Sequence, residues 1–412
     1  MGEVCVGISF GTANCCIAVY RDETAHVIPD SQGYRSTPSY IAFTAAGVLI
    51  GRTARDQLSC NSLNTVHSFK PLLGRKFSDL VTTLNFTQLP YQVVPAPGDT
   101  ALIVVTNEGK EQRFSPDYLC ELLLRHLKHI AETYLGTPVS QATISVPFFF
   151  TDSQRQALRD SSMRAGLKAL RLITESSAAC IAYGLNEGNN TEKIPVIVVN
   201  IGAGGITITA LVIEEGIFEV LGVEYDGTVG GEAIDRRLVE FCIKELKRNW
   251  GVSLSEMGLK SLQLECQSAK CRLSSQSQVT IFSDSHSIPL SRSLFDQLNQ
   301  DLYTRCSALV TRVLSTAHFS RNAIQHVVLA GGGARIPAFQ RLLANTFPAC
   351  EVCRSIVPEE VVVCGVAVQG AVLTRISSPS ENDLIIMDVC PLSSVNFPFA
   401  LNSLKSLVHL LT

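Results

Sequence analysis

The chain contains 412 residues, of which 46% are hydrophobic, and this length is enough for two or three domains. So large an apolar fraction excludes wholesale disorder, because a sizeable core can form. The 34 basic and 37 acidic residues are scattered and give a net charge of −3, so the sequence predicts neither a nucleic-acid-binding protein nor a membrane-surface protein.

The first residues of the chain do not resemble a sorting signal. Residues 1–10 contain neither the basic region nor the apolar core of a signal peptide. No apolar stretch reaches the length needed to span a bilayer without polar interruption. We therefore expect a cytosolic protein that has no membrane partner, with the nucleus as the alternative location.

The first half of the chain alternates predicted strands and helices. It opens on two apolar strands joined by a glycine-bearing turn, within residues 4–20. Leucines at helical spacing predict a helix over residues 116–135, and Thr151 begins a Thr-x-x-Gln capping box for a helix that ends at Gly166. The other elements predicted here are strands at residues 40–43, 49–50, 141–147 and 170–174 and a helix at 176–185.

The second half begins in the same way as the first. Residues 196–213 again form an apolar strand, a glycine turn and a second apolar strand. A strand at residues 326–330 is followed by three glycines and by a helix that starts at Pro337, since proline is favourable in a first turn. The other helices predicted here span residues 232–250, 261–273, 291–314 and 365–373.

Two hairpins of one design predict a duplicated fold and an anion site. Glycines in the turns let backbone N–H groups approach an anion closely, because no Cβ stands in the way. Two such turns facing each other would hold a polyphosphate from both sides. Acidic residues normally stand near these turns where a metal ion is bound, and here Ser9 and Asn200 occupy those positions.

The order of strands and helices predicts an α/β fold of two layered lobes. The polar residues 186–193 separate the halves, so we expect the first lobe at residues 1–188 and the second at 189–376. Residues 377–412 then form a linker-like segment and a tail that is too short for a further domain.

Six further blocks make the sequence similar to a known family. They are residues 64–79, 146–158, 170–185, 229–239, 327–337 and 364–373. With the two hairpins, they resemble in the same order the nucleotide-binding domain of the seventy-kilodalton heat-shock chaperones, over residues 4–389. The resemblance implies two duplicated lobes, actin-like and ribonuclease-H-like, around a nucleotide cleft. It also implies that the family's peptide-binding domain has no counterpart in this sequence.

The resemblance implies that ATP or ADP lies at the base of the cleft, with Lys70 and Glu175 as the catalytic residues. Carried over by position, the nucleotide contacts are the turn residues Gly11, Thr12, Ala13, Gly202, Ala203, Gly204 and Gly205, the ribose-side residues Gly230, Gly231 and Glu232, and the nucleoside-pocket residues Gln267, Lys270, Cys271, Ser274, Gly332, Gly333 and Arg335. The four pocket residues from Gln267 to Ser274 share one helix face, which without the resemblance would favour a plain surface.

The sequence departs from the family where the family binds magnesium. Ser9, Asn200 and Thr207 stand at positions where the family has aspartates. Hard cations prefer carboxylate oxygens over neutral amide and hydroxyl groups. Magnesium is therefore a doubtful cofactor, and we assign no metal ligand.

The nucleoside pocket also departs from the family. Gln267 replaces an acidic residue and Cys271 replaces a stacking arginine. Arg272 follows directly, but one residue turns the direction by about 100° on a helix, so it is a poor substitute. Gly205 replaces a hydroxyl residue of the second turn, and Gly333 replaces a serine near the base.

These changes predict nucleotide binding with weak or absent hydrolysis. Phosphoryl transfer depends on metal charge and positioning, whereas Lys70 and the backbone donors of the turns survive. We therefore expect a chaperone-family module that acts in protein folding through a partner. A J-domain cochaperone is one such partner, because Arg171 and residues 383–389 lie where the family receives it; a nucleotide-exchange factor and a ribosome-associated chaperone are the others.

Two other functions stay open at this point. An active ATPase of the chaperone family, or a sugar-type kinase, would need an acidic base, for which Asp30, Asp226 and Asp235 are the candidates. A nucleotide-free scaffold would leave Lys70 and Glu175 as partners in a structural salt bridge.

Overall fold

Two central β-sheets organise the computed structural model, which describes residues 4–83, 89, 91–107, 110–185, 193–374 and 385–387. We call residues 4–185 lobe I and residues 193–374 lobe II. The strands of lobe I are β1 Cys5–Phe10, β2 Asn14–Arg21, β3 Thr24–Val27, β4 Thr37–Pro38, β5 Tyr40–Thr44, β6 Gly47–Ile50, β7 Thr65–His67, β8 Gln92–Ala96, β9 Thr100–Asn107, β10 Lys110–Phe114, β11 Gln141–Val146 and β12 Lys168–Thr174. Its helices are α1 Arg52–Arg55, α2 Phe77–Thr83, α3 Pro116–Leu135, α4 Asp152–Arg164 and α5 Glu175–Ala182.

Lobe II contains the second set of elements. Its strands are β13 Ile194–Ile201, β14 Ile206–Glu214, β15 Ile217–Asp226, β16 Gln278–Ser283, β17 His286–Ser291, β18 His326–Ala330 and β19 Glu351–Cys353, and β20 Ile385–Met387 follows the lobe. Its helices are α6 Gly231–Trp250, α7 Glu256–Leu273, α8 Arg292–Leu298, α9 Gln300–Thr316, α10 Pro337–Thr346 and α11 Pro358–Leu373. Within the described ranges, no helix combines the length and the apolar character needed to cross a membrane.

The two central sheets have the same strand order, which confirms the predicted duplication. In lobe I the order is β12-β11-β1-β2-β3, and in lobe II it is β19-β18-β13-β14-β15, extended by β20. In each lobe the two hairpin strands pair antiparallel. The first hairpin strand also pairs parallel with a later strand, β1 with β11 and β13 with β18. The predicted α/β class with two duplicated lobes is therefore confirmed.

Capping residues fix several helix ends where the sequence predicts them. Thr151 and Gln154 form both hydrogen bonds of the predicted capping box at the start of α4. Helix α3 spans the predicted residues 116–135 and is capped by the Ser115 side chain. It ends at Gly136, whose φ of 67° lies in the left-handed region that favours glycine.

Several predicted helices have other boundaries in the structure; α5, for example, ends at Ala182 and not at Leu185. The helix predicted at residues 291–314 is two helices, α8 and α9, because the buried Asn299 side chain donates to the carbonyl of Phe295 at 2.8 Å and competes with the helix ladder. Helix α7 starts five residues early, where the Ser255 hydroxyl accepts from the Gly258 N–H. Helix α11 starts at Pro358 and not at Gly365, because proline fits a first turn.

Several strands have no counterpart among the predicted elements, and they include β3, β4, β7, β8, β9, β10, β15 and the β16–β17 hairpin. Strand β10 is exposed along most of its length, so it has no apolar alternation to indicate it. Residues 385–387, within the linker-like segment, pair parallel with residues 217–219 of β15. The predicted tail after them, and the predicted boundary at residues 186–192, lie outside the described residues.

Helices α5 and α11 pack between the two sheets and join the lobes. One apolar cluster combines their side chains with Ile173 of β12 and Val198 of β13. The helices cross so closely that a Cβ on Gly365 would lie 1.7 Å from the carbonyl oxygen of Ala178. Only glycine fits at this crossing, which therefore sets the distance between the lobes.

We predict that Gly365→Ala destabilises the protein by about 3 kcal/mol or more, because the added methyl group meets backbone and not a movable side chain. The measurement is the midpoint of urea unfolding. Gly258→Ala is the matched control, since the nearest atom to its new methyl would be 3.4 Å away within α7. Equal midpoints for the two variants would contradict the close crossing.

Candidate functional site

The two glycine turns meet at the base of the cleft between the lobes. The first turn joins β1 to β2 at residues 11–13, and the second joins β13 to β14 at residues 202–205. A Cβ on Gly204 would lie 3.6 Å from the Oγ1 atom of Thr12, so the turns face each other at contact distance. A Cβ on Gly11 would lie 2.1 Å from the Asn14 carbonyl oxygen, so this turn requires glycine.

The second turn forms one unit with the start of α6. The N–H groups of Gly231 and Glu232 donate to the carbonyls of Gly202 and Ala203, each at 2.9 Å. A Cβ on Gly230 would lie 2.6 Å from the Ala203 carbonyl oxygen. The predicted phosphate-side and ribose-side residues of lobe II are therefore adjacent in the structure.

Lys70, Glu175 and Asn200 form a hydrogen-bonded chain across the cleft. The Lys70 ammonium, only 5% exposed, donates to the Phe10 carbonyl and lies 3.4 Å from the Glu175 Oε1 atom. The Asn200 amide donates from Nδ2 to the other carboxylate oxygen, Oε2, at 2.7 Å. Both predicted catalytic residues thus lie together, and Asn200, at a position where the resemblance implies an aspartate, donates to the second oxygen of Glu175.

Local structure and packing keep Lys70 in this place. A 3₁₀ turn at Lys70–Leu72 directs it inward, with Pro71 in the first turn. The Lys70 Nζ atom lies 5.8 Å from the ring centre of Phe10 and 5.5 Å from that of Phe150. Aromatic rings near an ammonium attract it and exclude water, which strengthens its interaction with nearby anions.

The residues at the family's metal position do not suit a divalent cation. Asn200 and Thr207 line a small cavity of about 10 Å³ in which Glu175 is the acidic side chain. Ser9, also at one of these positions, is neutral. Within the part of the chain that the structure describes, no group of three or more His, Cys, Asp or Glu side chains could hold a metal ion. Hard cations prefer carboxylate oxygens, so these side chains do not by themselves form a magnesium site.

The predicted nucleoside-pocket face lies on α7, next to the start of α6. Gln267, Lys270 and Cys271 belong to the helix and Ser274 is its C-cap. Lys270 donates to the Gly231 carbonyl at 3.1 Å and to the Asp235 carboxylate at 2.7 Å. This face of α7 therefore contacts the start of α6 beside the second glycine turn.

The other residues predicted for the nucleoside pocket lie in the loop after β18. Gly332–Arg335 forms a 3₁₀ turn, and the Arg335 Nε atom donates to Glu359 at 2.8 Å. A Cβ on Gly333 would lie 2.3 Å from the Cγ2 atom of Ile201. Ile201 thus fills the space that a serine at position 333 would need.

The three candidate bases for an active enzyme all have structural partners. Asp30 accepts from the N–H groups of Gln32 and Tyr34, Asp226 accepts from Thr228 and Arg305, and Asp235 accepts from Lys270. Burial raises the pKa of Asp235, which the neighbouring Lys270 ammonium opposes. Each carboxylate therefore has at least one structural partner, although the buried Oδ1 atom of Asp235 has none among the described residues.

Two contacts across the cleft have no signal in the sequence. The Ser68 hydroxyl of lobe I donates to Glu232 of lobe II at 2.8 Å, and Ser68 has a positive φ of 53°. The rings of Phe149 and Tyr225 lie 4.4 Å apart, also between the lobes.

His67 precedes Ser68 in the chain, and its Nδ1 atom lies 3.1 Å from the Ser68 hydroxyl. Burial lowers the pKa of His67 to about 4.

Comparisons with known proteins agree with the resemblance. A family model described as Hsp70 protein matches residues 5–398. The chain is 38% identical over 398 residues to heat shock cognate 70 kDa protein 3 of Dictyostelium discoideum, covering 94% of this chain and 63% of the relative.

Two fungal relatives give the same result. The chain is 38% identical to the heat shock 70 kDa protein of Trichophyton rubrum and 39% identical to that of Neurospora crassa, covering 60% and 61% of their lengths. The chain thus spans about three fifths of the length of these relatives.

We predict that Asn200→Asp makes stability depend on Mg²⁺. The variant places a second carboxylate beside that of Glu175, where an amide now donates a hydrogen bond. The repulsion should lower the free energy of unfolding by about 2 kcal/mol at neutral pH. Bound Mg²⁺ would relieve the repulsion and restore the melting temperature, whereas the native chain should not respond.

The control is the double variant Glu175→Gln/Asn200→Asp, which has one carboxylate and should need no cation. If Mg²⁺ raised the melting temperature of the native chain as much as that of Asn200→Asp, the residues present would already hold the ion, which would contradict the prediction.

We predict that His67 destabilises the protein in mild acid. Its folded pKa of about 4 lies below the ordinary 6.5, so the unfolded chain binds more protons between these values and unfolding becomes easier as pH falls. From pH 7 to pH 5 this costs about 2 kcal/mol. The His67→Phe variant keeps an aromatic ring against Tyr40. In urea titrations, acidification should lower its free energy of unfolding by about 2 kcal/mol less than that of the native chain.

The control is the native chain, titrated with urea at the same two pH values. An unchanged response in His67→Phe would show that His67 is protonated without cost in the fold.

Proposed function

Because the chain belongs to the Hsp70 family, we propose that its cleft binds ATP or ADP without a protein-held magnesium ion and hydrolyses ATP weakly or not at all. The observation that most directly supports this proposal is the hydrogen bond that the Asn200 amide donates to the Glu175 carboxylate at 2.7 Å. The amide gives the carboxylate a neutral partner at a position where the family is expected to have a metal-binding aspartate.

Binding would depend on groups that the substitutions leave intact. Backbone N–H groups of the two facing turns are donors for phosphate oxygens, and a glycine turn exposes them. Lys70 supplies a buried positive charge beside the first turn through its bond to the Phe10 carbonyl. Charge-assisted hydrogen bonds of this kind are about twice as strong as neutral ones, so a polyphosphate retains its main attractions.

Hydrolysis would lose its electrostatic support. Glu175 already accepts from Asn200 and lies beside Lys70, so a water molecule would have to share this carboxylate with both groups. Removing one preorganised electrostatic group commonly slows a reaction on the order of 10²–10³-fold. Replacement of three carboxylates by Ser9, Asn200 and Thr207 should therefore leave little turnover.

We further propose a role in protein folding that is exerted through a partner in the cytosol. A J-domain cochaperone is the first candidate, because Arg171 is partly exposed on β12 and residues 385–387 add a strand to β15. A nucleotide-exchange factor or a ribosome-associated chaperone are further candidates. The relatives named above are heat-shock proteins, which supports a chaperone context for this chain.

We predict that ATP and ADP each raise the melting temperature of the native chain, since a ligand that binds only the folded form must stabilise it. Lys70→Met should bind about tenfold to a hundredfold more weakly, because it removes a charged contact to phosphate. Lys76→Met is the matched control, on an exposed lysine of the same segment, and should bind as the native chain does.

Single-turnover hydrolysis measured with the same samples completes the test. The proposal expects a rate close to the uncatalysed background. Rapid turnover would support an active ATPase instead, and no stabilisation by either nucleotide would support the nucleotide-free scaffold.

A further inference from the structure

The short strand β4 brings a buried serine against the first glycine turn. Its two residues pair antiparallel with Asn14 and Cys15, at the start of the strand that directly follows the turn. Ser39 is the next residue along the chain, and only 2% of its surface is exposed. The strand pairing therefore fixes Ser39 beside the turn.

Ser39 holds two carbonyls of the turn, one with each of its donors. Its hydroxyl donates to the Gly11 carbonyl at 3.0 Å. Its backbone N–H donates to the Ala13 carbonyl at 2.8 Å. Both ends of the turn are therefore bound to a single residue that lies outside the hairpin.

The planarity of the peptide group gives these contacts a directional effect. The Gly11 carbonyl and the Thr12 N–H belong to one trans peptide group, so they point in opposite directions. A carbonyl held toward Ser39 thus directs the Thr12 N–H away from Ser39. Among the described residues, none accepts a hydrogen bond from the N–H of Thr12 or Ala13. These two donors are available to an anion in the cleft.

A buried thiol fixes the direction of the Ser39 hydroxyl. The Sγ atom of Cys15 lies 3.3 Å from the Ser39 Oγ atom. Because the one hydroxyl proton of Ser39 goes to the Gly11 carbonyl, the thiol is the donor in its contact with Ser39. Burial raises the pKa of Cys15, so the thiol keeps its proton at neutral pH. The three groups form a chain in which each hydrogen bond strengthens the next.

We propose that Ser39 is a positioning residue for phosphate binding, which holds the Gly11 and Ala13 carbonyls so that the turn presents N–H donors to the cleft. Cys15 assists by orienting the Ser39 hydroxyl. The inference rests on the proposed function, because it names the residues that prepare the first turn for the phosphates. Without these contacts the peptide groups can rotate, and a carbonyl turned into the cleft repels phosphate oxygens.

Calorimetric titration of Ser39→Ala with ATP and with inorganic tripolyphosphate tests the inference on the full chain. Loss of the hydroxyl should weaken both ligands by the same factor of about five to ten, because one hydrogen bond of the turn is lost and the base is not involved. Native affinity for tripolyphosphate in a folded Ser39→Ala variant would overturn the inference and leave the proposed function intact. Failure of the native chain to bind either ligand would overturn both.

The matched control is Ser161→Ala, in α4 of the same lobe. The Ser161 hydroxyl is also buried and donates to two backbone carbonyls, that of Asp117 at 3.0 Å and that of Ala157 at 2.7 Å. This variant should lower the melting temperature and yet bind both ligands as the native chain does. Equal weakening of tripolyphosphate in Ser39→Ala and Ser161→Ala would show that lost stability, and not the turn, is responsible.

Two variants of Cys15 test the same chain of hydrogen bonds without changing Ser39. Cys15→Ser keeps a donor of similar size, whereas Cys15→Ala removes it. Cys15→Ala should weaken tripolyphosphate by about twofold to fivefold, and Cys15→Ser should stay within about twofold of the native chain. Equal affinities for tripolyphosphate in the two variants would contradict the role assigned to the thiol.

Discussion

The contact of the Glu175 carboxylate with the Lys70 ammonium and the Asn200 amide is the constraint on which the cleft depends. It joins the first residue of α5 in lobe I to the last part of β13 in lobe II. A buried charge must be paired and hydrogen-bonded to be tolerated, and here one carboxylate oxygen has a cation and the other a neutral donor. A second carboxylate at position 200 would repel Glu175 unless a cation lay between them. With an amide at position 200, the Glu175 carboxylate has its hydrogen-bond partners without a cation.

Binding and turnover have different physical requirements in this cleft. The groups proposed to bind phosphate are backbone amides of the two turns. Their placement depends on glycines that no larger residue could replace, since a Cβ on Gly11 would lie 2.1 Å from the Asn14 carbonyl oxygen. Turnover needs developing charge to be neutralised, and the neutral side chains of Ser9, Asn200 and Thr207 contribute no charge. Under the proposed function, hydrolysis is weakened through these few side chains while the backbone frame of the two turns is kept.

The duplicated sheets, the two turns and the convergence of Lys70 with Glu175 could be predicted from sequence, because strands, turns and caps are local patterns and the family resemblance orders them. The Ser68–Glu232 and Asn200–Glu175 hydrogen bonds could not, because each joins lobes through residues that no local pattern relates. The division of the predicted helix into α8 and α9 at Asn299 could not be predicted either. The Asn299 side chain competes for a backbone hydrogen bond of the helix, while the apolar spacing in the sequence continues through this position.

Calorimetric titration of the native chain with ATP, once in excess EDTA and once in Mg²⁺, tests the central claim most directly. If backbone amides and Lys70 hold the phosphates, the two dissociation constants should agree within about threefold. Binding would then not depend on a cation that protein carboxylates coordinate. A dissociation constant that rises a hundredfold or more on removal of Mg²⁺ would contradict the account, since it would require the cleft to bind the nucleotide through a metal ion that Asn200 and its neighbours are unsuited to hold.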